Sequence, residues 1–133
     1  EPGEGEIILA ADTEVVVDRD VLGKPSDAED AARMLRRLSG REHEVITGIC
    51  LRAGGRVVVD SATTRVCFVA LSDAEIAAYV ASGEPMDKAG AYAIQGLASR
   101  FIDRIEGCYF NVVGLPVSLV SRHLRGLPFA SAA

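Results

Sequence analysis

Cysteine is scarce in this sequence, and its count is odd. The three copies, Cys50, Cys67 and Cys108, stand far apart, which excludes a disulfide framework and a cysteine-rich zinc site and points to a reduced, cytoplasmic setting. Long apolar runs are lacking as well, and none approaches the length a bilayer span requires. The opening residues, Glu1-Pro2-Gly3-Glu4-Gly5-Glu6, are acidic and have no signal-peptide character. Positive charge is in deficit: 14 basic residues against 19 acidic ones leave a net charge of −5. Duplex DNA and anionic membranes would repel such a surface, although a local basic site can still hold one small anion. No internal repeat or low-complexity linker divides the chain.

What remains is the composition of one folded domain. The chain has 133 residues, 49% hydrophobic and 25% charged, enough to bury a core without disulfides or a structural metal. Residues 7–11 and 14–18 are β-branched and apolar and read as two buried strand segments, with Asp12-Thr13 where a core strand is interrupted or ends. Ser26 with Glu29 predicts a capping box opening a helix, whose apolar stripe is Ala31, Met34, Leu35 and Leu38 and whose stop is Gly40. Residues 44–52 and 56–71 are β-rich and flank Gly54-Gly55, a hairpin signal. Ser72 with Glu75 opens a second helix ending near Gly83. Residues 84–107 have little periodicity and read as a functional loop or short irregular helix. Residues 109–113 read as another buried strand, and Pro116 as the start of a last helix. Strands alternating with helices around a central hairpin predict an α/β fold with a twisted mixed β-sheet flanked by helices.

Three places carry candidate chemistry. Asp12 follows an apolar strand, where a carboxylate is either a turn residue bonding its own backbone or a general base or metal ligand. Lys24, between Gly23 and Pro25, lacks phosphate-loop spacing and is either a solvated loop lysine or a point charge for a phosphate. The run Asp87-Lys88-Ala89-Gly90-Ala91-Tyr92-Ala93-Ile94-Gln95-Gly96 gathers an acid, a base, an aromatic and an amide within ten residues. Gln95 offers the side-by-side donor and acceptor that read a base edge. Lys88 offers charge for phosphate, and Asp87 a hard oxygen of the kind magnesium takes. The alternative is a polar loop with Asp87 and Lys88 paired. His43 and His123 have no partner at metal-ligand spacing. Cys108 has no nearby histidine to activate it.

In this order the motifs resemble one family. Ala11-Asp12-Thr13, Gly23-Lys24-Pro25, Leu38-Ser39-Gly40-Arg41 with His43 and Val45, Thr47-Gly48, Ser82-Gly83-Glu84-Pro85, the 87–96 run, and Glu106-Gly107 before Tyr109-Phe110-Asn111-Val112-Val113-Gly114-Leu115-Pro116 are similar to the Maf family of nucleoside triphosphate pyrophosphatases. The resemblance implies a cleft for a nucleoside triphosphate and a divalent cation, magnesium or manganese. It implies Asp12 as catalytic base, Thr13 and Gln95 in substrate choice, Lys24 and Lys88 at the phosphates, and Asp87 beside them, with Asp12 and Asp87 serving the metal. The wording of the 87–96 run resembles the subgroup acting on dTTP and UTP. Family members begin with a strand, a Ser/Arg-rich loop and a helix that would precede Glu1, so the resemblance implies a single Maf-like domain over residues 1–133, incomplete at its N-terminus. A homodimer is left open. The rivals are a non-catalytic nucleotide-binding regulator of cell division and septum formation, and a purely structural α/β dimerisation domain.

Overall fold

The structure is a computed structural model and describes residues 5–127. Its centre is a five-stranded sheet in the order β2-β1-β3-β4-β5, formed by β1 (Ile7–Val17), β2 (Asp20–Leu22), β3 (Glu42–Ala53), β4 (Arg56–Phe68) and β5 (Ile102–Glu106). Four α-helices accompany it: α1 (Ala28–Leu38), α2 (Asp73–Ala81), α3 (Tyr109–Val113) and α4 (Val117–Arg125). Three 3-10 turns, Glu84–Asp87, Ala89–Ala91 and Leu97–Phe101, fill the stretch without periodicity. The expected α/β architecture of a sheet with flanking helices is present. All four pairings among the described strands are antiparallel, so the parallel pairs of a mixed sheet do not occur within these residues.

The local chemistry explains most elements. The β3–β4 hairpin turns at Gly54, whose φ of 58° suits glycine. Asp18 and Arg19, with φ of 50° and 69°, make the tight β1–β2 turn, where two left-handed residues match the strand twist. Arg41 holds Asp18 at 2.6 Å and Arg37 holds Asp20 at 3.0 Å, tying that turn to the end of α1. The α1 stripe is buried as expected at Ala31, Met34, Leu35 and Leu38. Each large apolar side chain so buried contributes about 1.5–3 kcal/mol. At Ser72 and Glu75 both halves of the capping box are formed.

Other elements differ from expectation. Residues 7–17 form one uninterrupted strand, because β3 pairs with β1 in continuous register from Ile7↔Ala53 to Val16↔Glu44. Asp12 therefore lies within a strand rather than at its end, opposite Gly48. The cap of α1 is Asp27, which accepts from Asp30 N, while Ser26 donates to the Asp30 carboxylate. Residues 109–113 form a short helix, not a strand. Gly114 closes it by donating to Phe110 and Asn111 carbonyls. β5 emerges from the stretch read as irregular, pairing with β4 through four positions and a bulge at Cys67/Phe68.

The core fills one face of the sheet. Val15, Val17, Val45, Val66 and Phe68 pack there against Leu35 and Leu38 of α1, Ile76 and Tyr79 of α2, and Phe101. A smaller cluster of Ile49, Leu119 and Val120 seats α4 on the same sheet. The opposite face has little cover, and Val57 and Val59 are exposed there.

Candidate functional site

Beside the core, β1, the loop after β2, the 87–95 segment and the end of α3 enclose a cavity of about 280 Å³. All six residues singled out in the sequence, Asp12, Thr13, Lys24, Asp87, Lys88 and Gln95, line it. Strand alternation sets Asp12 on the face opposite Thr13 and Val15. From Ile7 to Glu14, however, the outer edge of β1 has no partner among the described strands, since β2 pairs only with Val15, Val16 and Val17. The cavity opens over that edge, so residues of both faces line it.

The 87–95 wall is placed by a close backbone approach. Gly90 has φ of 72°, and a Cβ there would lie 2.8 Å from Val15 Cγ2. Only glycine lets the segment cross β1 at this distance. Gly90 N donates to Gly23 O at 3.1 Å, tying the loops of Lys24 and Lys88 together at one end of the cavity. Ala91, fully buried, also adopts a positive φ of 65°. Asp87 and Lys88 pair at 3.7 Å, but both are substantially exposed, so the pair contributes little to stability and leaves the ammonium available. Among the described residues the side chains of Asp12, Lys24 and Gln95 have no hydrogen-bond or ion-pair partner.

The opposite wall joins Thr13 to two buried polar residues, Thr47 and Asn111, that stood in the motifs without an assigned role. Thr13 Oγ1 meets Thr47 Oγ1 at 2.9 Å and donates to Gly114 O at 3.4 Å. Thr47, fully buried, reaches Asn111 O at 3.4 Å. Asn111, also fully buried, directs its amide nitrogen at Val45 O, Ala62 O and Thr64 Oγ1 at 3.0–3.1 Å. These bonds fasten α3 to β3 and β4, which fixes Val112, Val113 and Gly114 as cavity wall. The available signal was a polar residue inside an apolar run: Thr47 between Ile46 and Ile49, and Asn111 between Phe110 and Val112.

Beneath the cavity, Tyr92 packs edge-on against His43 and Phe68. Burial pushes the His43 imidazole down to about 4, so it is neutral near pH 7. Burial raises the Tyr92 phenol far above its usual range. Neither group is placed as a general base, and His43 is a buried packing residue. Among the described residues, no three metal-ligating side chains cluster, and no helix is long and apolar enough to cross a membrane.

Known proteins share this chain's sequence. It is 56% identical over 120 residues to the dTTP/UTP pyrophosphatase of Koribacter versatilis (strain Ellin345), covering 90% of this chain and 62% of that protein. It is 59% identical over 119 residues to the dTTP/UTP pyrophosphatase of Syntrophomonas wolfei, covering 88% and 63%. For the dTTP/UTP pyrophosphatase of Anaeromyxobacter dehalogenans (strain 2CP-C) the values are 54% over 129 residues, 94% and 66%. The chain thus spans somewhat under two thirds of the length of the curated relatives it matches. The family described as Maf-like protein matches residues 2–127, and the chain belongs to the Maf family.

Proposed function

We propose that the protein is a cytoplasmic nucleoside triphosphate pyrophosphatase that converts dTTP and UTP to the monophosphate and pyrophosphate. The observation that carries this reading is the shared cavity. Two carboxylates, two ammonium groups and one amide, drawn from three separate segments, line the same space. The relatives named dTTP/UTP pyrophosphatase support the substrate class.

In this reading Asp12 removes a proton from a water whose oxygen attacks the α-phosphorus. A P–O bond forms to the water oxygen, and the bond from the α-phosphorus to the bridging oxygen breaks. Pyrophosphate leaves with the bonding pair. Lys24 and Lys88 stabilise the charge that gathers on it, the kind of fixed electrostatic help that dominates phosphoryl chemistry. Gln95 presents a donor and an acceptor side by side, matching the carbonyl and N–H edge of uracil and thymine. Thr13, its hydroxyl fixed by Thr47 and Gly114, bounds the site from the other wall.

A divalent cation, magnesium or manganese, belongs to the reading. Asp12 and Asp87 both line the cavity, and two carboxylates suit magnesium, which keeps several waters and is held by one or two carboxylates together with substrate phosphates. When bound it would neutralise triphosphate charge and polarise the α-phosphorus.

The test is a screen of dTTP, UTP, CTP and 7-methylguanosine triphosphate with magnesium against the full-length protein, scored by monophosphate and pyrophosphate. Release of both products, fastest from dTTP and UTP, is expected. Nucleotide that raises the melting temperature without any pyrophosphate release would instead mark a binding regulator.

A further inference from the structure

Ala93 and Gln95 line the cavity and also border a second, more open hollow lined by Gly83, Glu84, Met86 and Gly96. Ile94 is buried in the core, but Gln95 itself is exposed and borders both hollows. Packing therefore does little to set its position, and hydrogen bonds along the segment must do so.

Those bonds converge on two residues. The Tyr79 hydroxyl accepts from Ala93 N at 3.1 Å and donates to Glu84 Oε2 at 2.5 Å. Glu84 Oε1 accepts from Leu97 N at 3.1 Å. The segment is thus fastened two residues before Gln95 and two residues after it by one connected pair of side chains. Gly96 makes room for the carboxylate, since a Cβ there would lie 2.0 Å from Glu84 Oε1. Tyr79 is fully buried in the core, so the clamp is anchored in the rigid part of the fold. Burial, then Glu84, holds the Tyr79 phenol well above its usual range, and it stays a donor to the carboxylate at any working pH.

We infer that Glu84, through Tyr79, is a positioning residue that sets the reach of Gln95 and with it the base selectivity of the site. The inference rests on the pyrophosphatase reading above and on Gln95 facing the base. Glu84 does not line the cavity that holds Asp12, Lys24 and Lys88. Its carboxylate accepts two hydrogen bonds, one at each oxygen. A glutamine in its place has one accepting oxygen and no charge, so the NH₂ must face either the Tyr79 hydroxyl or Leu97 N–H and both charge-assisted bonds of the clamp are weakened or lost.

The experiment compares wild type, Glu84→Gln, Tyr79→Phe, Gln95→Ala and the Glu84→Gln/Gln95→Ala double variant of the full-length protein. The readouts are kcat and KM for UTP and CTP, and amide hydrogen exchange at Ala93 and Leu97. Glu84→Gln and Tyr79→Phe are expected to lower the UTP-over-CTP preference about tenfold, through a raised KM for UTP with kcat within about twofold. Gln95→Ala should lose the same preference, and the double variant no more than Gln95→Ala alone, as expected of residues acting through one group. Exchange at Leu97 should quicken in Glu84→Gln and at Ala93 in Tyr79→Phe. A preference kept in both clamp variants but lost in Gln95→Ala overturns the inference, as does a fully additive double variant. Unchanged exchange at Leu97 in Glu84→Gln overturns it whatever the activity. No pyrophosphate from UTP in wild type, with the exchange changes present, sinks the pyrophosphatase reading and the selectivity role with it, and leaves the clamp as structure alone.

Discussion

The Tyr92 hydroxyl lies 2.6 Å from His43 Nε2, joining the cavity wall to a buried imidazole in β3. The contact is enclosed: His43 is only 2% exposed, and its Nδ1 has no hydrogen-bond partner. A charged ring there would have neither water nor a counter-ion close at hand.

Stability should therefore fall in mild acid. The folded-state value of His43 is depressed from 6.5 to about 4. Between those values the unfolded chain binds the proton and the folded one does not. The stabilisation from keeping His43 neutral is full above about pH 6.5 and is lost as pH drops toward 4, amounting to about 3 kcal/mol across the window. Urea unfolding from pH 7.5 to 4.5, wild type against His43→Gln, isolates this contribution from the carboxylates common to both. Parallel curves for the two proteins would contradict it.

Gly90→Ala should cost about 2–4 kcal/mol, part from the left-handed backbone and part from collision with Val15. Val15→Ala in the same chain removes both Cγ atoms but keeps the Cβ that would lie 2.9 Å away, and leaves φ at 72°. The double variant should recover only a portion, with a coupling of about 1–2 kcal/mol. Chemical denaturation of the four proteins measures it, and additive effects would show that the close approach is not what glycine serves.

Asp12→Asn should lower kcat by roughly 10²- to 10⁴-fold, the usual worth of a positioned general base. Asp12 is exposed and its carboxylate has no partner among the described residues, so the melting temperature should stay nearly constant. Pyrophosphate release and thermal unfolding, measured together, check both halves. A near-normal rate would remove Asp12 from the chemistry.

The β3–β4 hairpin, the α1 stripe and the Ser72–Glu75 box were legible because each is a local pattern with one physical solution. The error at 109–113 has an equally local cause: five residues, four of them apolar, satisfy strand and helix periods alike. Asp12 misled because a polar residue on the uncovered face of a continuing strand looks the same in sequence as one that ends it. The six cavity residues were found through their chemistry and the motif resemblance. Thr47, Glu84 and Asn111 stood in the quoted motifs without a role, and Tyr79 was not singled out, because those roles rest on tertiary partners, such as Asn111 with Val45, 66 residues away. No nearby pattern announces a bond of that span.

Thr13 and Gly114 stand 101 residues apart in the chain and meet in one wall of the cavity. The pocket is complete only once the polypeptide around Gly114 has joined the first strand, so, on the proposed reading, a nascent chain still emerging from the ribosome would not yet hold a nucleotide. Loosening that closure alone would abolish ligand capture while most of the sheet stayed intact, so loss of binding should precede loss of secondary structure whenever the protein is gently denatured.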